Sequence, residues 1–181
     1  MVRTAEQTAV SAEASTTYTP PGMCLQWSRT RADIPSLFPD AATAWKHALD
    51  RHKGDREPPR GAMVYWLGGS KGYGHIAVSV GGLLVRSTDV PTGGKIGTVP
   101  VAWFEQHWGL TYGGWADNVN DVRIPGVGAE MNEDDWDRME KLIRSVWDGK
   151  MTVTQPGTGE DTQKARQQVL RELWQKVTRA T

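Results

Sequence analysis

The sequence predicts an α+β domain, and three features of its patterning predict it. Apolar residues at helical spacing occupy residues 23–54, short apolar runs bounded by glycine and proline occupy 62–124, and helical stripes return after 128. Helices first and consecutive tight-turned strands after them give a segregated α+β arrangement, not alternating β-α-β units. At 181 residues the chain is one domain by length and can bury a core without a disulfide or metal staple.

Each element follows from local chemistry. Residues 1–17 are rich in alanine, threonine, serine and glutamate without sustained apolar periodicity. They read as a mobile arm, at most a loose helix, with no apolar stretch that would make a readable signal peptide. Pro20, Pro21 and Gly22 form a stiff turn that opens a helix over 23–31, with Cys24 in its first turn. Asp40 is suited to cap a second helix through Ala41, Ala44, Trp45, Ala48 and Leu49, ended by Gly54. Strands are predicted over 62–67, 75–80 and 83–88, the last two joined by a Gly81-Gly82 hairpin. A short strand at 97–100, a brief helix through Trp103, Phe104 and Trp108, and late edge strands at 112–115 and 122–124 complete the domain.

The remainder changes character. Asn132 can cap a helix carrying Trp136, Met139, Ile143, Val146 and Trp147 on one face. After a Pro156-Gly157 turn, Ala165, Val169, Leu173, Trp174 and Val177 form a second stripe. Two such helices expose too much apolar surface to stand alone and need a partner: each other, the domain, or a second chain. Self-association through residues 131–181 is the preferred expectation, because the connection over 151–160 carries no apolar stripe. The division is thus an arm (1–17), a globular domain (18–127) and a helical C-terminal region (128–181).

Composition excludes several functions. Lysine plus arginine and aspartate plus glutamate both number 21, so no basic surplus exists to neutralise a nucleic-acid backbone. No apolar run approaches the roughly 18 residues of a membrane span. The single cysteine cannot form an internal disulfide and belongs to no zinc-binding cluster. His47 and His52 are five apart, off the spacing that puts two ligands on one helix face. Asp117, Asn118, Asn120 and Asp121 lack the glycine and glutamate of a calcium loop and read as a solvated turn. Gly93-Gly94-Lys95 has no phosphate-loop pattern around it. The nine tryptophans could stack on sugars, but Trp45, Trp136, Trp147 and Trp174 fall on helical stripes and read as core.

Cys24 carries the chemical interest. A cysteine in the first turn of a helix meets unsatisfied N–H groups and a dipole that favour the thiolate; a buried structural thiol is the plainer alternative. His75, after Gly72-Tyr73-Gly74 and at the start of a strand, is the candidate base. Such a base wants an acceptor on its other nitrogen. Asp89, at the end of the partner strand, is the first candidate, although it could merely close the Asp89-Val90-Pro91 turn; Ser87 is the second. Trp27, Trp66, Trp108 and Trp115 belong to segments expected to surround this pair.

The run from Tyr18 through Cys24 to Arg29, the run from Pro59 to Trp66, Gly74-His75 through Val78, and Ser87-Thr88-Asp89 together resemble the CHAP and NlpC-type cysteine peptidoglycan hydrolases. The segment from Trp108 to Trp115 and the following Asp117–Asn120 are similar to actinobacteriophage lysins. The likeness spans residues 18–125 and departs at Gly61-Ala62, where such families often carry Gly-Asp. It implies a papain-like fold and cleavage of a stem-peptide amide by a Cys24 nucleophile and a His75 base, with Asp89 fixing the imidazole. The enzyme would be an endopeptidase or an N-acetylmuramoyl-L-alanine amidase. Cys24 N–H would supply one oxyanion donor; Tyr18 could supply its hydroxyl or simply pack. Trp27, Trp66 and Trp108 would be weaker substrate contacts. No metal or organic cofactor is implied. The partner would be bacterial peptidoglycan, reached by a phage lysin made in the host cytoplasm or by an enzyme delivered with a virion. The rival expectation is a non-catalytic module that holds peptidoglycan in the same cleft. Rapid thiol alkylation near neutral pH would mark the enzyme.

Overall fold

Alternation along two central strands organises the fold. The computed structural model describes residues 1–16 and 20–128. Its elements are α1 (Ala5–Glu13), α2 (Cys24–Arg31), α3 (Ala41–His47), β1 (Arg51–Lys53), β2 (Met63–Leu67), β3 (His75–Gly81), β4 (Leu84–Thr88), β5 (Ile96–Pro100), α4 (Trp103–Trp108), β6 (Thr111–Ala116), β7 (Asn118–Val119) and β8 (Val122–Arg123). Six strands form one antiparallel sheet in the order β1-β6-β2-β3-β4-β5, and β7 pairs with β8. The α+β class is therefore as the sequence predicts.

Because strand side chains alternate between faces, the sheet buries two cores. Met63, Tyr65, Ile76 and Val78 meet Leu25, Trp27, Ala44 and Trp45 of α2 and α3. Val64, Trp66, Ala77 and Val85 meet Phe104 of α4 on the other face. Trp66, Tyr65 and Phe104 are wholly buried; aromatic side chains of this size each remove roughly 150–250 Å² from water and dominate such a core.

The first correction concerns the N-terminus, where the expected mobile arm is a packed helix. Thr4 and Gln7 form a reciprocal capping box at the start of α1. Thr8, Ala9 and Ala12 are completely buried against the sheet. Gly61 makes this approach possible: a Cβ there would lie 2.3 Å from the Ala5 carbonyl oxygen. Arg60 then ties the helix down, donating to Glu6, Glu13 and the Val80 carbonyl. Small alanines suit close helix–sheet contact but give little hydrophobic signal, so periodicity alone missed the element.

Other differences are local. Asp40 caps α3 by accepting from Thr43 N–H at 2.7 Å, as predicted, but the helix ends at His47 and His52 lies on β1. The hairpin turn is Gly82-Leu83, both at positive φ, while Gly81 sits at a register shift. β6 is an interior strand between β1 and β2, not an edge. The expected solvated turn at 117–121 is partly structural. Asn118 is buried and its Oδ1 accepts from Leu49 N–H, while Asn120 Nδ2 donates to the Pro35 carbonyl. The predicted C-terminal helices and their self-association lie outside the described residues. Among the described residues no helix is long and apolar enough to cross a membrane.

The packing of α1 makes a direct prediction. Deleting residues 1–14 uncovers the face that Thr8, Ala9 and Ala12 bury, and should lower the melting temperature by about 5 °C or more. An unchanged melting temperature would return this segment to the status of an arm.

Candidate active site

A turn, a helix and a strand end converge on Cys24. Pro21 and Gly22 lead into the turn, with Gly22 at φ +83, and Met23 caps α2 without a side-chain bond. Cys24 is thus the first helical residue, 8 % exposed. Leu25 and Trp27 pack into the core beside Ile76, and Ser28 Oγ donates to the Ile76 carbonyl at 3.4 Å. The thiol meets the N–H groups of Ile76, Leu25 and Cys24 itself.

His75 opens β3 directly before Ile76. Gly74 precedes it at φ +66, where a Cβ would lie 2.5 Å from the Trp66 carbonyl oxygen, so only glycine fits without displacement. The Trp66↔His75 pairing sets the imidazole on the face opposite α2, enclosed by aromatics. Phe104 lies 4.5 Å away between ring centroids, and Trp108 meets the ring edge-on at 5.0 Å. At the mouth of β3 both Cys24 and His75 line a single cleft of about 770 Å³.

The imidazole's partner is Ser87. His75 Nε2 and Ser87 Oγ are 2.7 Å apart, and both residues are buried. With the proton on Nε2 the ring donates to Ser87 and leaves Nδ1 as the acceptor. Asp89, the first sequence candidate, does not hold the histidine. Continuing the Val78↔Arg86 register would set it opposite His75, but β4 ends at Thr88 and Asp89 turns away at φ +64. Its carboxylate instead accepts from Gly94 N–H at 2.7 Å, Gly22 N–H at 3.2 Å and Thr88 Oγ1 at 3.2 Å. Asp89 therefore closes its own loop and clamps the turn ahead of Cys24 while lining the cleft.

The tryptophans separate. Trp108 lines the cleft and is 39 % exposed. Trp27 lies in the core, its Nε1 donating to Ser15 Oγ at 3.2 Å. Trp66 is fully buried against Phe104 and Tyr112, and Trp115 stacks on His52 at 3.5 Å. Expectations of substrate contact by Trp27 and Trp66 are thus not met. Tyr18 lies outside the described residues. Tyr73 and Arg29, which no sequence motif marks as site residues, also line the cleft. Tyr73, held out between Gly72 and Gly74, was the legible one.

Electrostatics depart from the expected thiolate. Burial pushes the Cys24 thiol up to about 11, with the nearby Asp89 carboxylate adding to the rise and the Ile76 and Leu25 N–H groups opposing it. Burial drives His75 down to about 3. The thiol and the imidazole therefore both rest neutral in the cleft they line. Among the described residues no cluster of three or more histidine, cysteine or acidic side chains could hold a metal. No protein-family model, curated protein or solved structure matches the chain.

Alkylation of Cys24 by iodoacetamide should be slow at pH 7 and rise about tenfold per pH unit up to pH 10, since only the thiolate reacts; a rate already level above pH 6 would contradict the buried-thiol geometry. For His75, the unfolded ring protonates near pH 6.5, so below that pH the unfolded chain binds the extra proton. Its contribution to stability is full above about 6.5 and is lost as pH falls toward about 3. Between pH 6.5 and 5 the loss should steepen toward about 1.4 kcal/mol per pH unit, and His75→Gln should flatten it in chemical denaturation. An identical slope in the variant would show that the ring titrates normally.

Proposed function

We propose that the chain is a papain-like cysteine amidohydrolase that cuts an amide bond in the stem peptide of peptidoglycan, as an endopeptidase or N-acetylmuramoyl-L-alanine amidase. One observation carries the reading. A helix-initial cysteine and a strand-initial histidine share one cleft, and the histidine's Nε2 is hydrogen-bonded to a serine. Nucleophilic catalysis at an amide needs that division of labour. The helices packed on an antiparallel sheet agree with a papain-like fold, and the resemblance of the motifs supplies the substrate class.

The chemistry follows from the neutral resting pair. As Sγ attacks the carbonyl carbon, its proton passes to His75 Nδ1 and the carbonyl electron pair moves onto oxygen. The N–H of Cys24 is a donor for that oxyanion, and one such preplaced donor supplies about 2.7–4 kcal/mol. The imidazolium protonates the departing amine nitrogen as the C–N bond breaks, leaving a thioester. Water, deprotonated by His75, then releases the acid and the free thiol. Buried neutral groups do not form charges in advance, so proton transfer is coupled to attack. The proposed setting is the bacterial wall, reached after synthesis in a host cytoplasm or by delivery with a virion. The burial of Cys24 favours the rival reading of a binding module on the same cleft.

Substitution separates the two. Cys24→Ala should abolish release of peptide fragments from actinobacterial walls, and His75→Ala should reduce it nearly as far, because members of one catalytic unit do not act additively. Ser87→Ala should lower kcat while leaving KM within about twofold, the signature of a positioning residue. Asp89→Asn should lower activity and thermal stability together. Mass spectrometry of the fragments identifies the bond. Wild-type rates in Cys24→Ala would rule out cysteine catalysis, and intact walls under the native protein would favour the binding module.

A further inference from the structure

The charges around the cleft are not equally available. With His75 neutral, its charged side chains are Arg29, Asp40 and Asp89. Asp40 spends both oxygens on Thr43, accepting from the backbone N–H and from Oγ1. Asp89 spends both of its oxygens on Gly94, Gly22 and Thr88. Arg29 differs. Its Nη1 donates to the Ile34 carbonyl at 3.0 Å, which fixes the guanidinium. Among the described residues it has no other side-chain hydrogen bond and no carboxylate within ion-pairing distance. A guanidinium carries five N–H donors in a planar fork suited to a carboxylate, so most of this half-buried one is free to engage a ligand.

We infer that Arg29 binds a carboxylate of the substrate peptide and gives the cleft a preference for stem peptides whose acidic groups are free rather than amidated. The inference deepens the hydrolase reading and rests on it for the identity of the ligand as a peptide. Position sharpens it. Arg29 and Cys24 sit on the same short helix, so the distance from carboxylate site to nucleophile is fixed by helix geometry. The two carboxylates that also line the cleft, Asp40 and Asp89, offer a substrate carboxylate no cation, which leaves Arg29 as its counterpart. The exposed faces of Tyr73 and Trp108 leave apolar surface for the remainder of the peptide. Arg29 is thus a specificity residue, with no part in bond breaking.

The test uses muropeptides from one cell wall and the same muropeptides after carbodiimide coupling to ammonia, which amidates their carboxylates. Calorimetry on the Cys24→Ala protein reads binding without turnover. The free-acid peptides should bind at least about tenfold tighter than the amidated ones, the scale of one charge-assisted hydrogen bond. Adding Arg29→Gln, which keeps a donor for Ile34, should bring the two within twofold; Arg29→Lys, which keeps the charge, should retain part of the ratio. Equal affinities with Arg29 present, a ratio that survives Arg29→Gln, or no binding of either form overturns the inference. If the ratio depends on Arg29 yet the native protein cleaves neither peptide, the carboxylate site stands and the hydrolase reading falls.

Discussion

The docking of α2 on the first residues of β3 is the constraint on which the site depends. The peptide groups of Ile76 do this twice: the carbonyl accepts from Ser28 Oγ, one turn into the helix, and the N–H faces the Cys24 thiol at its start. Leu25, Trp27 and Ile76 close the same core beneath. Because His75 is the neighbour of Ile76, the strand that positions the helix also positions the imidazole. Ser87 on the adjacent strand then engages the imidazole without any loop intervening. Asp89 completes the arrangement from outside, holding Gly22 and Gly94 and so tying down the turn before Cys24.

Burial outweighs the helix terminus in setting the charge state. A helix N-terminus stabilises an anion by typically 0.3–1 kcal/mol, up to about 2 where partly buried. The rise of the thiol from 9.0 to about 11 corresponds to roughly 3 kcal/mol against the anion. Desolvation therefore wins, and the same cause keeps the imidazole neutral inside its ring of Phe104, Trp66 and Trp108. Such a site holds no standing ion pair for solvent to screen. In the proposed reaction it would develop charge only when a carbonyl carbon is present to receive the sulfur, and the N–H groups at the start of α2 would matter then.

Local chemistry was legible in the sequence; relations between distant segments were not. Asp40, the Pro20-Pro21-Gly22 turn and the apolar runs of β2 and β3 announced their elements, because caps, turns and alternation act over a few residues. Cys24 and His75 were found by the same means. The helix α1 was missed because its buried face is built from alanine and threonine, whose signal depends on Gly61 allowing close approach from far along the chain. Asp89 was favoured over Ser87 because a carboxylate is the stronger partner in principle. A single left-handed residue at the end of β4 reversed that choice, and one backbone angle of this kind has no reliable sequence mark outside glycine. The same holds for Trp27 and Trp66, which composition could not divide between core and cleft.

The central claim is that Cys24 carries the acyl group of the peptide during turnover. Intact-protein mass spectrometry of samples quenched in acid during wall digestion tests it most directly. A transient adduct whose mass equals an acyl fragment of the stem peptide is expected. That adduct should map to Cys24, be lost on treatment with hydroxylamine and be absent from the Cys24→Ala protein. Continued release of wall fragments with no adduct at any time, and an equal rate from the Cys24→Ala protein, would contradict it.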